Sequence, residues 1–214
     1  MEGALFNEIR ASRPMECKVN DEVRQLIEGS AGDPFCKAES GTPADSFGRV
    51  KGRYSISASN VAKYDGYHGL VIFDEHNPLT VNREAVADYF ETGFKWAEQA
   101  RREDPEAKYY FFMWNCLWKS GASIIHGHAQ MTLTKGLHYP KVEQLRRVFQ
   151  EYREKYDTCY FKDLFRIHQS LGLAWEWPGE VKGLAYLTPI KEKEILLWAP
   201  TVGEPLYHAV HAVL

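Results

Sequence analysis

The sequence predicts an α+β fold built on an antiparallel sheet with helices. Three observations carry the prediction. Alternating or buried strand patterns come in pairs, a single long amphipathic helix stands between two such pairs, and turn signals separate them. The order over residues 50–140 is strand, strand, helix, strand, strand, which makes one compact unit.

Each element has its own reason. Arg53–Ser59 alternates weakly and reads as a strand. Asp65–Gly66 is a turn signal, and His68–Phe73 (HGLVIF) follows as a buried strand. Asn82 caps a helix that runs to about Arg102, with Val86, Tyr89, Phe90, Gly93, Phe94, Ala97 and Ala100 on one face. Asp104–Pro105 ends it. Lys108–Leu117 (KYYFFMWNCL) is a strongly aromatic strand. A Ser-Gly turn leads to a strand at about His126–Thr134. A second, weaker cycle follows, with helices at Val142–Tyr156 and Tyr160–Gln169. Strands follow at Gly172–Trp177, Gly183–Leu187 and Glu194–Trp198, then a helix from about Glu204. The expected organisation is a loosely ordered lead-in over 1–49 with one short helix near Asp21–Glu28, a complete unit over 50–140, and a second, incomplete copy over 141–214.

Composition narrows the function classes. The chain has 214 residues and a net charge of -3, from 26 basic and 29 acidic side chains. That balance offers no electrostatic footprint for nucleic acid. The hydrophobic fraction of 44% is too high for intrinsic disorder. Four cysteines do not make a disulfide scaffold. MEGALFNEIRASRP is not a signal peptide, and no apolar run reaches membrane-spanning length, so a cytoplasmic protein with reduced thiols is expected.

The densest polar cluster is Asn115 to Gln130 (NCLWKSGASIIHGHAQ). His126, His128 and Gln130 alternate, so on one strand all three would project from the same face. Gly121, between Ser120 and Ser123, supplies a tight turn whose N–H groups and hydroxyls suit phosphate oxygens. Asn115 ends the preceding strand and can lie beside that turn. A neutral imidazole among such donors suits attack on phosphorus, with the donors stabilising charge on the phosphoryl oxygens.

The run N-x5-G-x-S-x2-H-x-H-x-Q resembles the active-site signature of galactose-1-phosphate uridylyltransferases and their relatives in the histidine-triad superfamily. The SGAS-x2-H-x-H-x-Q wording also resembles diadenosine tetraphosphate phosphorylases. KYDGYHGLVIFDEHNPL (Lys63–Leu79) is similar to the family's strand that ends in a histidine, and DPFC (Asp33–Cys36) stands where the family often has C-P-F-C. The resemblance extends over about residues 30–200. It implies that His128 is the nucleophile that becomes nucleotidylated and that Gln130 hydrogen-bonds the transferred phosphoryl group. It places Asn115 and Ser123 at phosphate-contacting positions; Ser120 and Gly121 are further substrate contacts on the reading of the turn itself. Histidine-triad hydrolases carry a third histidine where Gln130 stands. A glutamine cannot act as an acid there, which favours transfer over hydrolysis.

The resemblance also implies zinc. His126 and His76 match two ligands, Cys36 matches a third, and Asp33 replaces the first cysteine of C-P-F-C; aspartate ligates zinc. The four are expected to converge on one structural ion. His68 reads as a core or edge residue, with a nucleotide contact as the alternative. His208 and His211 read as parts of an amphipathic surface helix.

The implied activity is that of a hexose-1-phosphate uridylyltransferase in carbohydrate metabolism, working by double displacement through a covalent nucleotidyl-histidine. The alternative within the class is an adenylyl-transferring phosphorylase of dinucleoside polyphosphates or nucleotide sugars. The alternative outside it is a non-catalytic nucleotide- or metal-binding relative. Partners are then a nucleotide sugar or dinucleotide and a sugar phosphate or phosphate, with no nucleic acid and no membrane, and a homodimer is compatible with the resemblance.

Overall fold

The computed structural model describes residues 21–191 and 193–214, and the chain divides into two compact units. The first is Gln25–Gln150. The second comprises Glu151–Leu214 with residues 21–24. Of the lead-in expected over 1–49, residues 1–20 lie outside the described residues. Residues 25–49 belong to the first unit, where Ile27, Phe35 and Asp45 are buried.

Among the described residues the lead-in comprises helix α1 (Asp21–Gly29), a 3-10 turn (Pro34–Lys37) and one further helical turn, α2 (Ala38–Gly41). The first unit is built on a four-stranded antiparallel sheet in the order β1-β2-β4-β3, from β1 (Ser55–Ser59), β2 (Tyr67–Phe73), β3 (Tyr109–Met113) and β4 (His128–Thr134). The long helix α3 (Arg83–Glu103) lies between β2 and β3 in sequence, and the Asn82 side chain caps it by accepting from the Ala85 N–H. Its buried stripe (Ala85, Tyr89, Trp96, Ala97, Ala100) packs with Val71, Phe73, Met131 and Leu133 as one core. The larger apolar side chains among them each contribute about 1.5–3 kcal/mol on burial. Gly69 is required here, because a Cβ at this position would lie 2.6 Å from the Trp96 ring. The Trp96 indole N–H donates to the buried Asp45 carboxylate at 2.7 Å.

Helix α3 therefore takes one face of the sheet. The other face follows from the register. Ile72 pairs with His128, Leu70 with Gln130 and His68 with Thr132, and directly opposed residues share a face. Ile56, Ala58, Leu70 and Ile72 form a small second core there with Phe35 from the 3-10 turn. The aromatic strand is shorter than the sequence predicts. The chain leaves the sheet after Met113, and Leu117 takes φ 65 on the way into the 3-10 turn Trp118–Ser120.

Helix α4 (Pro140–Tyr156) runs across the division between the units. The second unit contains α5 (Tyr160–Ser170), a three-stranded antiparallel sheet and α6 (Glu204–Val213). The sheet strands are β5 (Ala174–Trp177), β6 (Val181–Ala185) and β7 (Ile195–Trp198). Phe165, Val181, Leu184, Tyr207 and Ala209 are its buried apolar residues. No helix among the described residues is long and apolar enough to cross a membrane.

Candidate functional site

His128 is the first residue of β4 and is 6% exposed. Its Nδ1 lies 2.8 Å from the backbone carbonyl of His126. A carbonyl only accepts, so the hydrogen sits on Nδ1 and the lone pair is left on Nε2. Burial pushes the pKa of this ring below the ordinary histidine value, and the hydrogen bond to the His126 carbonyl only partly opposes it. A neutral ring with a fixed tautomer is the nucleophilic form. The edge of Phe35 packs against it with ring centroids 5.0 Å apart.

His128, Gln130 and Ser123 line one cavity of about 260 Å³, walled by apolar Phe35, Leu70 and Ile124. Gln130, two residues along β4 on the same face, is partly buried, and its Oε1 stands 3.0 Å from His68 Nε2. The other predicted phosphate contacts are arranged less uniformly. Gly121 adopts φ 100, a left-handed conformation that favours glycine. A Cβ on it would come 3.6 Å from the Asn115 amide nitrogen, so Asn115 does lie beside the turn. Ser120 is turned away from this role. Its hydroxyl donates to the Leu117 carbonyl at 2.9 Å and to the Cys116 carbonyl, closing its own turn.

His126 lies just before the strand on the same side as His128, and Phe35 packs edge-on against both rings, with centroids 6.2 Å and 5.0 Å apart. The buried His126 ring turns toward the segment after β2. Gly127 pairs with the end of β2 and the segment after it: its carbonyl accepts from Phe73 N–H at 2.9 Å and its N–H donates to the His76 carbonyl at 3.2 Å. This pairing brings His76 to His126. Asp33, Cys36, His76 and His126 each offer one ligand atom, all within 4.8 Å of one another.

The hydrogen bonds around this quartet define its chemistry. His126 Nε2 donates to the Phe73 carbonyl at 2.7 Å, and His76 Nε2 donates to the Ile27 carbonyl at 2.9 Å. Both rings therefore turn Nδ1 inward, and these two nitrogens stand 3.1 Å apart. Cys36 Sγ is 3.4 Å from each and accepts from Gly32 N–H at 3.3 Å. In a zinc tetrahedron with Zn–N of about 2.0–2.1 Å and Zn–S of about 2.3 Å, two nitrogens stand about 3.3 Å apart and nitrogen and sulfur about 3.6 Å. Cys36, His76 and His126 fit that spacing, and Asp33 Oδ1 lies 3.7 Å from His126 Nδ1. Asp33 serves two purposes. Its Oδ1 caps the 3-10 turn by accepting from Phe35 N–H at 2.8 Å and Cys36 N–H at 3.2 Å. Its Oδ2 is buried without a hydrogen-bond partner. Inward lone pairs and an orphaned carboxylate oxygen are the environment of a cation.

Two contributors were not assigned to the site from sequence. Phe35 sits between two expected ligands in DPFC, which was the available signal. His68 is 1% exposed and touches Gln130. The signal for it was the H-x-L-x-I alternation, which places His68 on the face of Leu70 and Ile72. Glu143 accepts from Arg146 and Arg147, and the two guanidinium groups hold its carboxyl down to about 2. That makes it a helix ion pair. His208 and His211 lie on α6 and belong to no group of three or more potential metal ligands among the described residues.

No family model matches the sequence, and no curated protein matches it. Among solved structures the chain is similar to an ADP-glucose phosphorylase from Arabidopsis thaliana with bound ADP-glucose. That match has 16% identity and a TM-score of 0.63, and covers 98% of this chain and 69% of that one. It is also similar to a GalT-like protein from Arabidopsis thaliana, at 16% identity and a TM-score of 0.60, over 80% of this chain and 65% of that one. The chain thus spans about two thirds of the length of either. The likeness establishes the fold, an α+β fold shared with these two structures. The resemblance read from Asn115–Gln130 holds at that level.

Proposed function

We propose that the protein is a nucleotidyltransferase of the hexose-1-phosphate uridylyltransferase type, with His128 as the nucleophile. The observation that carries this reading is the fixed tautomer of His128, which leaves Nε2 unprotonated on a ring that lines one cavity with Gln130 and Ser123. Nε2 attacks the α-phosphorus of a nucleotide sugar, the N–P bond forms and the P–O bond to the sugar phosphate breaks. The sugar phosphate leaves with that electron pair. The Nδ1 proton stays on the ring, held by the His126 carbonyl, which also stabilises the charge the ring acquires. In the second step an oxygen of an acceptor phosphate attacks phosphorus and the N–P electron pair returns to Nε2. The Gln130 amide donates to the transferred phosphoryl group and, lacking an acidic proton, gives water no help. Asn115 and the Gly121 turn provide further donors, whereas the bonds of Ser120 to its own turn assign it a supporting place.

A second reading within the class has its own support. The likeness to an ADP-glucose phosphorylase extends over 98% of the chain. A phosphorylase would use inorganic phosphate as the acceptor and an adenylyl group as cargo. Zinc in the Asp33, Cys36, His76 and His126 quartet would contribute a structural charge centre that ties the lead-in to the loop before β4. The chemistry would proceed on His128 beside it.

The test is mass spectrometry of the intact protein after incubation with UDP-glucose or ADP-glucose. A nucleotidyl adduct on His128 is expected, and its base distinguishes the two readings. Tight nucleotide binding with no adduct from either donor would leave a binding protein and overturn the enzymatic reading.

A further inference from the structure

The tautomer of one buried histidine is tied to the orientation of the Gln130 amide. His68 Nε2 lies 3.0 Å from Gln130 Oε1, and the Tyr64 N–H points at His68 Nδ1 from 3.5 Å. A second amide competes for the same ring nitrogen. Asn60 Nδ2 is 2.9 Å from His68 Nε2, and its orientation is set because Asn60 Oδ1 already accepts from Ala62 N–H at 2.9 Å. A neutral ring carries one N–H, so Nε2 either donates to the Gln130 oxygen or accepts from the Asn60 amide. Burial keeps this ring below the ordinary histidine pKa, so the neutral form is the relevant one.

The two states have opposite consequences for the cavity. When Nε2–H donates to Oε1, the Gln130 NH2 group is the end left for the cavity, and it is a donor. When Nε2 accepts, the Gln130 amide turns over and leaves its oxygen there. A phosphoryl group offers only acceptor oxygens at neutral pH, so only the first state serves it. We propose that His68 is the positioning residue of the site, which holds the Gln130 amide with its NH2 toward the transferred phosphoryl group by donating Nε2–H to Oε1. The inference rests on the nucleotidyl-transfer reading, but the His68–Gln130 pairing is measurable without turnover.

Ring 15N–1H correlation spectra, recorded with UMP or AMP as probe, read the tautomer directly. In the wild-type protein the proton is expected on Nε2. In Gln130→Ala, where Asn60 is the remaining amide partner, it is expected to move to Nδ1. A wild-type ring protonated on Nδ1, or a tautomer unaffected by Gln130→Ala, overturns the pairing whatever the enzyme does. The kinetic arm follows adduct formation on His128 by rapid quench. His68→Ala is expected to slow it by roughly 10- to 100-fold, the scale of a misoriented contact, with donor affinity little changed. His68→Gln, which returns an N–H donor, is expected to recover most of that loss. In the Gln130→Ala background, His68→Ala is expected to cost nothing further. Equal losses in both backgrounds mean a merely structural histidine and overturn the positioning role. If no adduct forms on the wild type with either donor, the transfer reading fails while the spectra still decide the pairing.

Discussion

The two units each bury a histidine, and the difference between them separates chemistry from architecture. In the second unit His168 is 2% exposed and both ring nitrogens are engaged. Nδ1 donates to the Leu164 carbonyl at 2.7 Å, and Nε2 accepts from Leu187 N–H at 3.0 Å. That ring ties α5 to the segment after β6 and has nothing left to offer a substrate. In the first unit His128 is nearly as buried, but only Nδ1 is engaged by a backbone group. One unspent nitrogen facing a cavity is the mark of a reactive residue, and two spent nitrogens are the mark of a structural one.

That contrast is broken most directly by exchanging the losses. His128→Ala is expected to abolish nucleotidyl adduct formation altogether while the protein still melts cooperatively. His168→Ala is expected to leave the adduct intact and to cost about 2–4 kcal/mol of stability, from two lost hydrogen bonds and a cavity. Intact-mass spectra and thermal melts of both variants read this. Turnover surviving in His128→Ala would sink the mechanism.

Metal separates the units next. The first unit holds the Asp33, Cys36, His76 and His126 quartet, and the second holds no comparable group among the described residues. Protein purified without chelator is expected to carry about one zinc per chain, and its removal to lower the melting temperature. Asp33→Asn keeps an oxygen to cap the 3-10 turn but removes the charge on the free one. Zinc affinity, measured by competition with a chromophoric chelator, is expected to fall roughly tenfold or more. An unchanged affinity would remove Asp33 from the ligand set.

A smaller effect is expected at Gln130. Gln130→His is expected to raise the ratio of free nucleotide to transferred product a few-fold, since an imidazole shuttles protons to water and an amide does not. An unchanged ratio would mean that Gln130 does not protect the intermediate.

The smallest effect concerns pH. Burial depresses the pKa of His68 from 6.5, so the unfolded chain binds this proton more readily than the native one. Stability therefore rises with pH across this window and is lost as pH falls from about 6.5 toward the lower native value. Denaturant midpoints at pH 7.5 and 5.5 are expected to differ less in His68→Gln than in the wild type. Equal differences would show that His68 is not the group responsible.

Much of this was legible in the residues. The helix capped by Asn82, the buried strand His68–Phe73 and the aromatic strand are local patterns, set by periodicity, capping and turn chemistry. The motif from Asn115 to Gln130 put His128 and Gln130 together because both lie on one strand two residues apart, where pleat geometry alone puts them on one face. The metal quartet was legible as a set of residue types, though not as a shape.

The rest depended on contacts between segments far apart in the chain. Period-two alternation put His126 on the side of His128, but only the backbone pairing of Gly127 with Phe73 and His76 brings His76, and with it the metal quartet, to His126. Nothing within the run from 115 to 130 carries that information. The partners of His68 were equally hidden, since a lone histidine in a strand says nothing of what lies across the sheet until the register sets Leu70 opposite Gln130. Sequence by itself determined which side chains bring nucleophile, donor and ligand chemistry, because residue type sets what an atom can do. Tertiary structure alone decided which nitrogen of each ring is free, because a tautomer is chosen by the group it faces, and here those groups come from other segments or from the local turn that the fold imposes.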